Sequence, residues 1–88
     1  MRQASPRRRQ IKLSARGYKV QGQNTVDLSW TGATSSSIDV YRNGLLIVTV
    51  HNNGFYTDRT NTRGPATYTY KVCGAGTDNC FNQVTVTF

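Results

Sequence analysis

Tyr68-Thr-Tyr-Lys-Val-Cys73, Gly74-Ala-Gly-Thr-Asp-Asn79 and Cys80-Phe-Asn-Gln-Val-Thr-Val-Thr-Phe88 form the stretch that decides the fold class. Both flanks alternate bulky and polar residues with a period of two, the repeat of a pleated strand whose faces meet different surroundings. The six residues between the cysteines are small or polar, as a tight connection requires. The stretch therefore reads as a β-hairpin stapled by a disulfide between Cys73 and Cys80. On the chain-entropy estimate, a bridge closing a loop of about 8 residues contributes roughly 2.5 kcal/mol. The other reading, two unpaired thiols in a reducing compartment, stays open at this level, although disulfides persist mainly where conditions are oxidising.

A chain of 88 residues makes one domain. Such a domain buries only about 60 to 65% of the surface its unfolded form exposes. A staple is then a large fraction of a net stability of about 5 to 10 kcal/mol.

Working outward from the hairpin, period-two alternation recurs, and no window longer than a turn has apolar residues at helical spacing. Ile11 to Ala15 opens as a strand that Tyr18 to Val20 continues, and Gln21-Gly22 turns the chain. In Thr25 to Trp30, Val26, Leu28 and Trp30 share one face. Ile38 to Arg42 follows, with Ile38 and Val40 inward and Asp39 and Tyr41 outward. Asn43-Gly44 is a strong hairpin signal, because a type I′ turn needs positive φ at both central residues. It leads to Leu45 to Val50, a turn at His51 to Gly54 and a short strand Phe55 to Thr57. Asp58 to Pro65 reads as a connection, Thr67 to Cys73 as the sixth strand and Phe81 to Phe88 as the seventh. Seven strands at spacings of roughly eight to twelve residues predict an all-β, Greek-key β-sandwich over residues 11–88.

These residues resemble a family. Val26-Asp-Leu-Ser-Trp30, Ile38-Asp-Val-Tyr-Arg-Asn-Gly44 and Tyr68-Thr-Tyr-Lys-Val72 are similar to a fibronectin type III domain of the immunoglobulin-like sandwiches. The resemblance implies that Trp30 packs between the sheets and that Tyr68 is the tyrosine corner. Tyr56-Thr-Asp58, Cys73, Cys80 and Val84-Thr-Val-Thr-Phe88 further resemble a bacterial subset at the C-terminus of secreted hydrolases, notably subtilisin-like serine peptidases. On that likeness Phe88 is the natural end of the parent. The chain has no Arg-Gly-Asp tripeptide, so integrin binding does not carry over.

Eleven Lys and Arg against four Asp give a net charge of +7. Four of those cations, Arg2, Arg7, Arg8 and Arg9, precede the first strand with no acid among them. Residues 1–10 read as a disordered basic linker or tail, with polyanion binding through Arg7, Arg8 and Arg9 as the lesser reading. This start contains no apolar stretch of signal-peptide type, and no run is long enough to cross a membrane as a helix. The disulfide and this N-terminus are reconciled if Met1 begins an excised piece of a longer exported protein.

One histidine, four aspartates and no glutamate do not compose a catalytic or metal-binding constellation, so the expectation is no enzyme, no cofactor and no metal. Trp30, Tyr56, Tyr68 and Tyr70 fall on inward faces and read as core. Tyr41, Phe55 and Phe81, like Tyr18, have no inward assignment and are the candidate ligand-binding rings. No RNP-type strand or recognition helix accompanies the cations, which argues against nucleic acid. The expectation is therefore a secreted, monomeric, non-catalytic accessory module, working beside the catalytic domain of its parent as spacer, stabiliser or attachment domain. The competing expectation is a module that binds a polymeric substrate or cell-surface glycan through exposed aromatics.

Overall fold

The computed structural model describes residues 12–77, 79–80 and 82–88. The basic tail with Arg7, Arg8 and Arg9, and the candidate ring Phe81, lie outside the described residues. Seven strands follow in chain order: β1 (Lys12–Val20), β2 (Gln23–Thr31), β3 (Ser37–Arg42), β4 (Leu45–His51), β5 (Phe55–Arg63), β6 (Thr67–Gly74) and β7 (Val84–Thr87). They form two antiparallel sheets, one ordered β1-β2-β5 and the other β4-β3-β6-β7. The chain is all-β and its two sheets share one core.

Alternation builds that core. Leu13, Val26, Leu28 and Trp30 from the first sheet meet Ile38, Val40, Tyr68, Tyr70 and Val72 from the second, all buried. Tyr56 is half-buried and packs against the cluster rather than within it. At Asn43-Gly44 both residues have positive φ, 53° and 85°, as the primed hairpin turn demands. Gln21-Gly22 makes the same conformational choice, at 52° and 83°.

The hairpin of β6 and β7 pairs Tyr68 with Val86 and Tyr70 with Val84, and Cys73 and Cys80 are joined in a disulfide beyond the ladder. Phe88 is docked by a reciprocal backbone pair with Ala66, and its ring meets Tyr68 edge-on at 5.8 Å. Beside it β1 approaches closely: a Cβ on Gly17 would lie 2.5 Å from Val86 and 2.9 Å from Phe88. Asn82 closes this side of the sandwich by accepting from the Leu13 N–H and donating to the Leu13 carbonyl.

Strands β2, β3, β4 and β6 reach one or two residues beyond the sequence expectation, and three others differ from it more. β1 runs unbroken through Arg16 and Gly17. β5 continues from Phe55 to Arg63, so Asp58 to Arg63 is strand rather than connection. The last strand occupies Val84–Thr87 only, and Asn82 ahead of it bonds the β1 backbone through its side chain. At the free edge, β4 carries one extra residue, Ile47, between the pairs Val40 to Val48 and Tyr41 to Leu46.

Candidate functional site

Alternation along β3 does not stop at Val40: it carries Arg42 to the core side as well. Arg42 and Tyr70 are partners across the β3–β6 ladder, so both side chains reach toward β5 of the opposite sheet. There they converge on Asp58. Arg42 Nη1 donates to Asp58 Oδ1 at 2.8 Å and Oδ2 at 2.6 Å, and the Tyr70 hydroxyl donates to Oδ2 at 2.6 Å. Asp58 and Tyr70 are buried, and the Arg42 side chain keeps about a quarter of its exposure (28%). Burial and then the Asp58 carboxylate push the Tyr70 hydroxyl well above the usual tyrosine range. Burial opposes the Arg42 charge, but the hydrogen bonds and charge of Asp58 outweigh it and hold the guanidinium protonated. Charge-assisted hydrogen bonds from two residues of one sheet to a carboxylate of the other fasten the sheets together.

Two further polar clusters do similar work. Asn24 Nδ2 donates to the Gly64 carbonyl and to the Tyr68 hydroxyl, both at 3.1 Å, while Thr60 donates to the Asn24 carbonyl at 2.8 Å. The Tyr68 hydroxyl also bonds Thr62. At the other end of the sandwich, Trp30 Nε1 donates to Asn52 Oδ1 at 2.9 Å, and Asn52 Nδ2 donates to the carbonyls of Ala33 and Ser35. One asparagine thereby ties the core tryptophan to the β2–β3 loop.

The candidate rings are not gathered. Tyr41 stands half-buried on the outer face of the four-stranded sheet, with Lys71 Nζ 4.9 Å from its ring centroid. Phe55 stands on the outer face of the other sheet, 64% exposed. The two rings therefore contribute to no shared platform. His51, expected in a turn, is instead the exposed last residue of β4, paired with Ser37.

The outer face of β1-β2-β5 does assemble side chains that are distant in sequence. Its rows, read from strand register, are Lys12 and Thr31; Ser14, Ser29 and Phe55; Arg16, Asp27 and Thr57; Tyr18, the buried Thr25 and Arg59; then, past a shift in the β2–β5 register, Val20, Gln23 and Arg63. Asp27 Oδ1 accepts from the Tyr18 hydroxyl at 3.0 Å and from Thr57 at 2.7 Å. That hydrogen bond to Asp27 is the main cause of the raised pKa of Tyr18. Arg16 lies over the Tyr18 ring at 5.2 Å. The sequence groups Lys12 and Arg16 with Lys19 and the tail arginines as possible phosphate contacts, but only strand register sets Lys12 and Arg16 on one face with Arg59 and Arg63; for the Arg42–Asp58–Tyr70 cluster, the parity of Arg42 behind Ile38 and Val40 is the available signal.

Among the described residues, no group of three or more His, Cys, Asp or Glu side chains is placed to hold a metal ion. Comparison with protein-family models, curated proteins and solved structures returns no match to this chain.

Proposed function

We propose that this chain is a non-catalytic accessory module, a fibronectin type III-like sandwich of a larger secreted bacterial hydrolase of the subtilisin-like serine peptidase class. The observation that carries the reading is the use made of the buried polar side chains. Asp58, Arg42 and Tyr70 are spent on each other, and Asn24, Thr60 and Tyr68 on joining strands. A domain whose buried polar groups hold sheets together offers stiffness rather than turnover.

Support for the family likeness comes from the strand orders β1-β2-β5 and β4-β3-β6-β7, from buried Trp30 on β2 and from Tyr68 at the start of β6. One departure stands beside it. The hydroxyl of a tyrosine corner bonds upstream backbone, whereas that of Tyr68 meets the side chains of Asn24, Thr60 and Thr62. Support for an exported setting comes from the disulfide, which a small domain retains in an oxidising compartment. The module works as a monomer beside its catalytic partner, without cofactor.

Removing this segment from the parent is expected to leave turnover of a small soluble substrate within about twofold while lowering the parent's thermal stability or its retention on polymeric substrate. A correctly folded truncation that has lost turnover on the small substrate overturns the reading.

A further inference from the structure

We infer that the outer face of the three-stranded sheet is a docking surface for a linear, carboxylate-bearing polysaccharide. The inference deepens the accessory-module reading by naming what the module holds, and it rests on that reading for its extracellular setting only.

Charge is segregated between the sheets. β1, β2 and β5 carry Lys12, Arg16, Lys19, Arg59 and Arg63 against Asp27 and Asp58, and Asp58 is neutralised from behind by Arg42. The other sheet has no comparable excess: once Arg42 is paired with Asp58, Lys71 stands against Asp39. On the first sheet's outer face Lys12, Arg16, Arg59 and Arg63 recur along the strands, with same-face rows about 6.7 Å apart where the ladder is regular and a shift in the β2–β5 register between the rows of Arg59 and Arg63. An elongated partner with repeated negative charge fits such a ladder.

Its chemistry is narrowed by what stands between the cations. Arginine forks match planar carboxylates with two hydrogen bonds, so Arg16 and Arg59 suit uronate groups. Both donors to Asp27 reach Oδ1, so Oδ2 retains its capacity to accept from a sugar hydroxyl. A fixed carboxylate amid the cations is tolerable to a polymer that alternates hydroxyls with charges and unfavourable to a continuous phosphate backbone. Phe55, 64% exposed on the same face, supplies one apolar ring for a pyranose. Binders of single-stranded nucleic acid need successive stacking rings, but Tyr18 is covered by Arg16 and tied through its hydroxyl to Asp27.

Polygalacturonate is the probe, titrated against the full 88-residue chain at low and moderate salt. The Arg16→Ala, Arg59→Ala double variant is expected to lose affinity on the order of tenfold, since two charge-assisted contacts vanish, and Phe55→Ala roughly threefold. Lys71→Ala on the opposite sheet, and Arg7, Arg8 and Arg9→Gln in the tail, should each change affinity by less than about 1.5-fold at moderate salt, where distant charges are screened. Unchanged melting curves for Arg16→Ala, Arg59→Ala and Phe55→Ala separate binding from folding. No binding of polygalacturonate, equal losses in the Lys71 or tail variants, or equal affinity for polyphosphate or a single-stranded DNA oligomer overturns the inference. None of these results bears on turnover by the truncated parent, so the two readings fail separately.

Discussion

Tyr70 shows how a single side chain makes the fold sensitive to alkali. In the native domain its hydroxyl donates to Asp58 in a buried site, and burial together with that carboxylate opposes ionisation. In the unfolded chain it titrates near 10. Between these values the native state holds a proton that the unfolded state has released, so unfolding free energy falls as pH rises. The stabilisation is complete below about pH 10 and declines above it, with a slope of about 1.4 kcal/mol per pH unit for one proton. Denaturant melts of the native chain from pH 8 to 11.5 should show that component. Tyr70→Phe should lack it and cost about 1 to 2 kcal/mol at pH 7 through the lost hydrogen bond. An identical alkaline slope in both proteins would show that Tyr70 is not its source.

At the scale of elements, the β6–β7 hairpin is fastened twice, by its ladder and by the disulfide beyond it. Reduction is expected to lower the Tm by about 10 °C while leaving far-UV circular dichroism native in shape, because the Tyr68 to Val86 and Tyr70 to Val84 pairs remain. Complete loss of structure on reduction would mean that the core cannot hold β7 without the bond. These two strands were legible in the sequence because bulky and polar residues alternate in them, as were β2, β3 and the Asn43-Gly44 turn. β5 was only half legible. Its inward positions Asp58, Thr60 and Thr62 are polar and are satisfied by Arg42, Tyr70, Asn24 and Tyr68 from other strands, so its period is hidden from a reading of hydrophobicity. The cationic outer face was illegible for a different reason: Arg16 and Arg59 come to one face, on either side of β2, only through the registers of β1 with β2 and of β2 with β5.

For the whole molecule, the Arg42–Asp58 pair is a lock between sheets, with Asp58 on the three-stranded sheet and Arg42 on the four-stranded one. Arg42→Ala would leave a buried carboxylate with Tyr70 alone, and the expected cost is about 3 kcal/mol or more. The double replacement Arg42→Met, Asp58→Leu removes both charges and should be distinctly less destabilising than Arg42→Ala. Equilibrium urea unfolding of the two variants measures the difference, and a double variant weaker than the single one would contradict the lock. The bulge at Ile47 has a consequence at the same scale. Leu45 and Leu46 are 70% and 53% exposed on a strand without charge, at the open edge of its sheet. Such an edge invites fibril growth, yet the extra residue leaves only Val48 to His51 as an unbroken template. That is shorter than the roughly six residues a steric zipper requires, so the bulge blunts the edge as a template just where the most apolar segment lies at the surface.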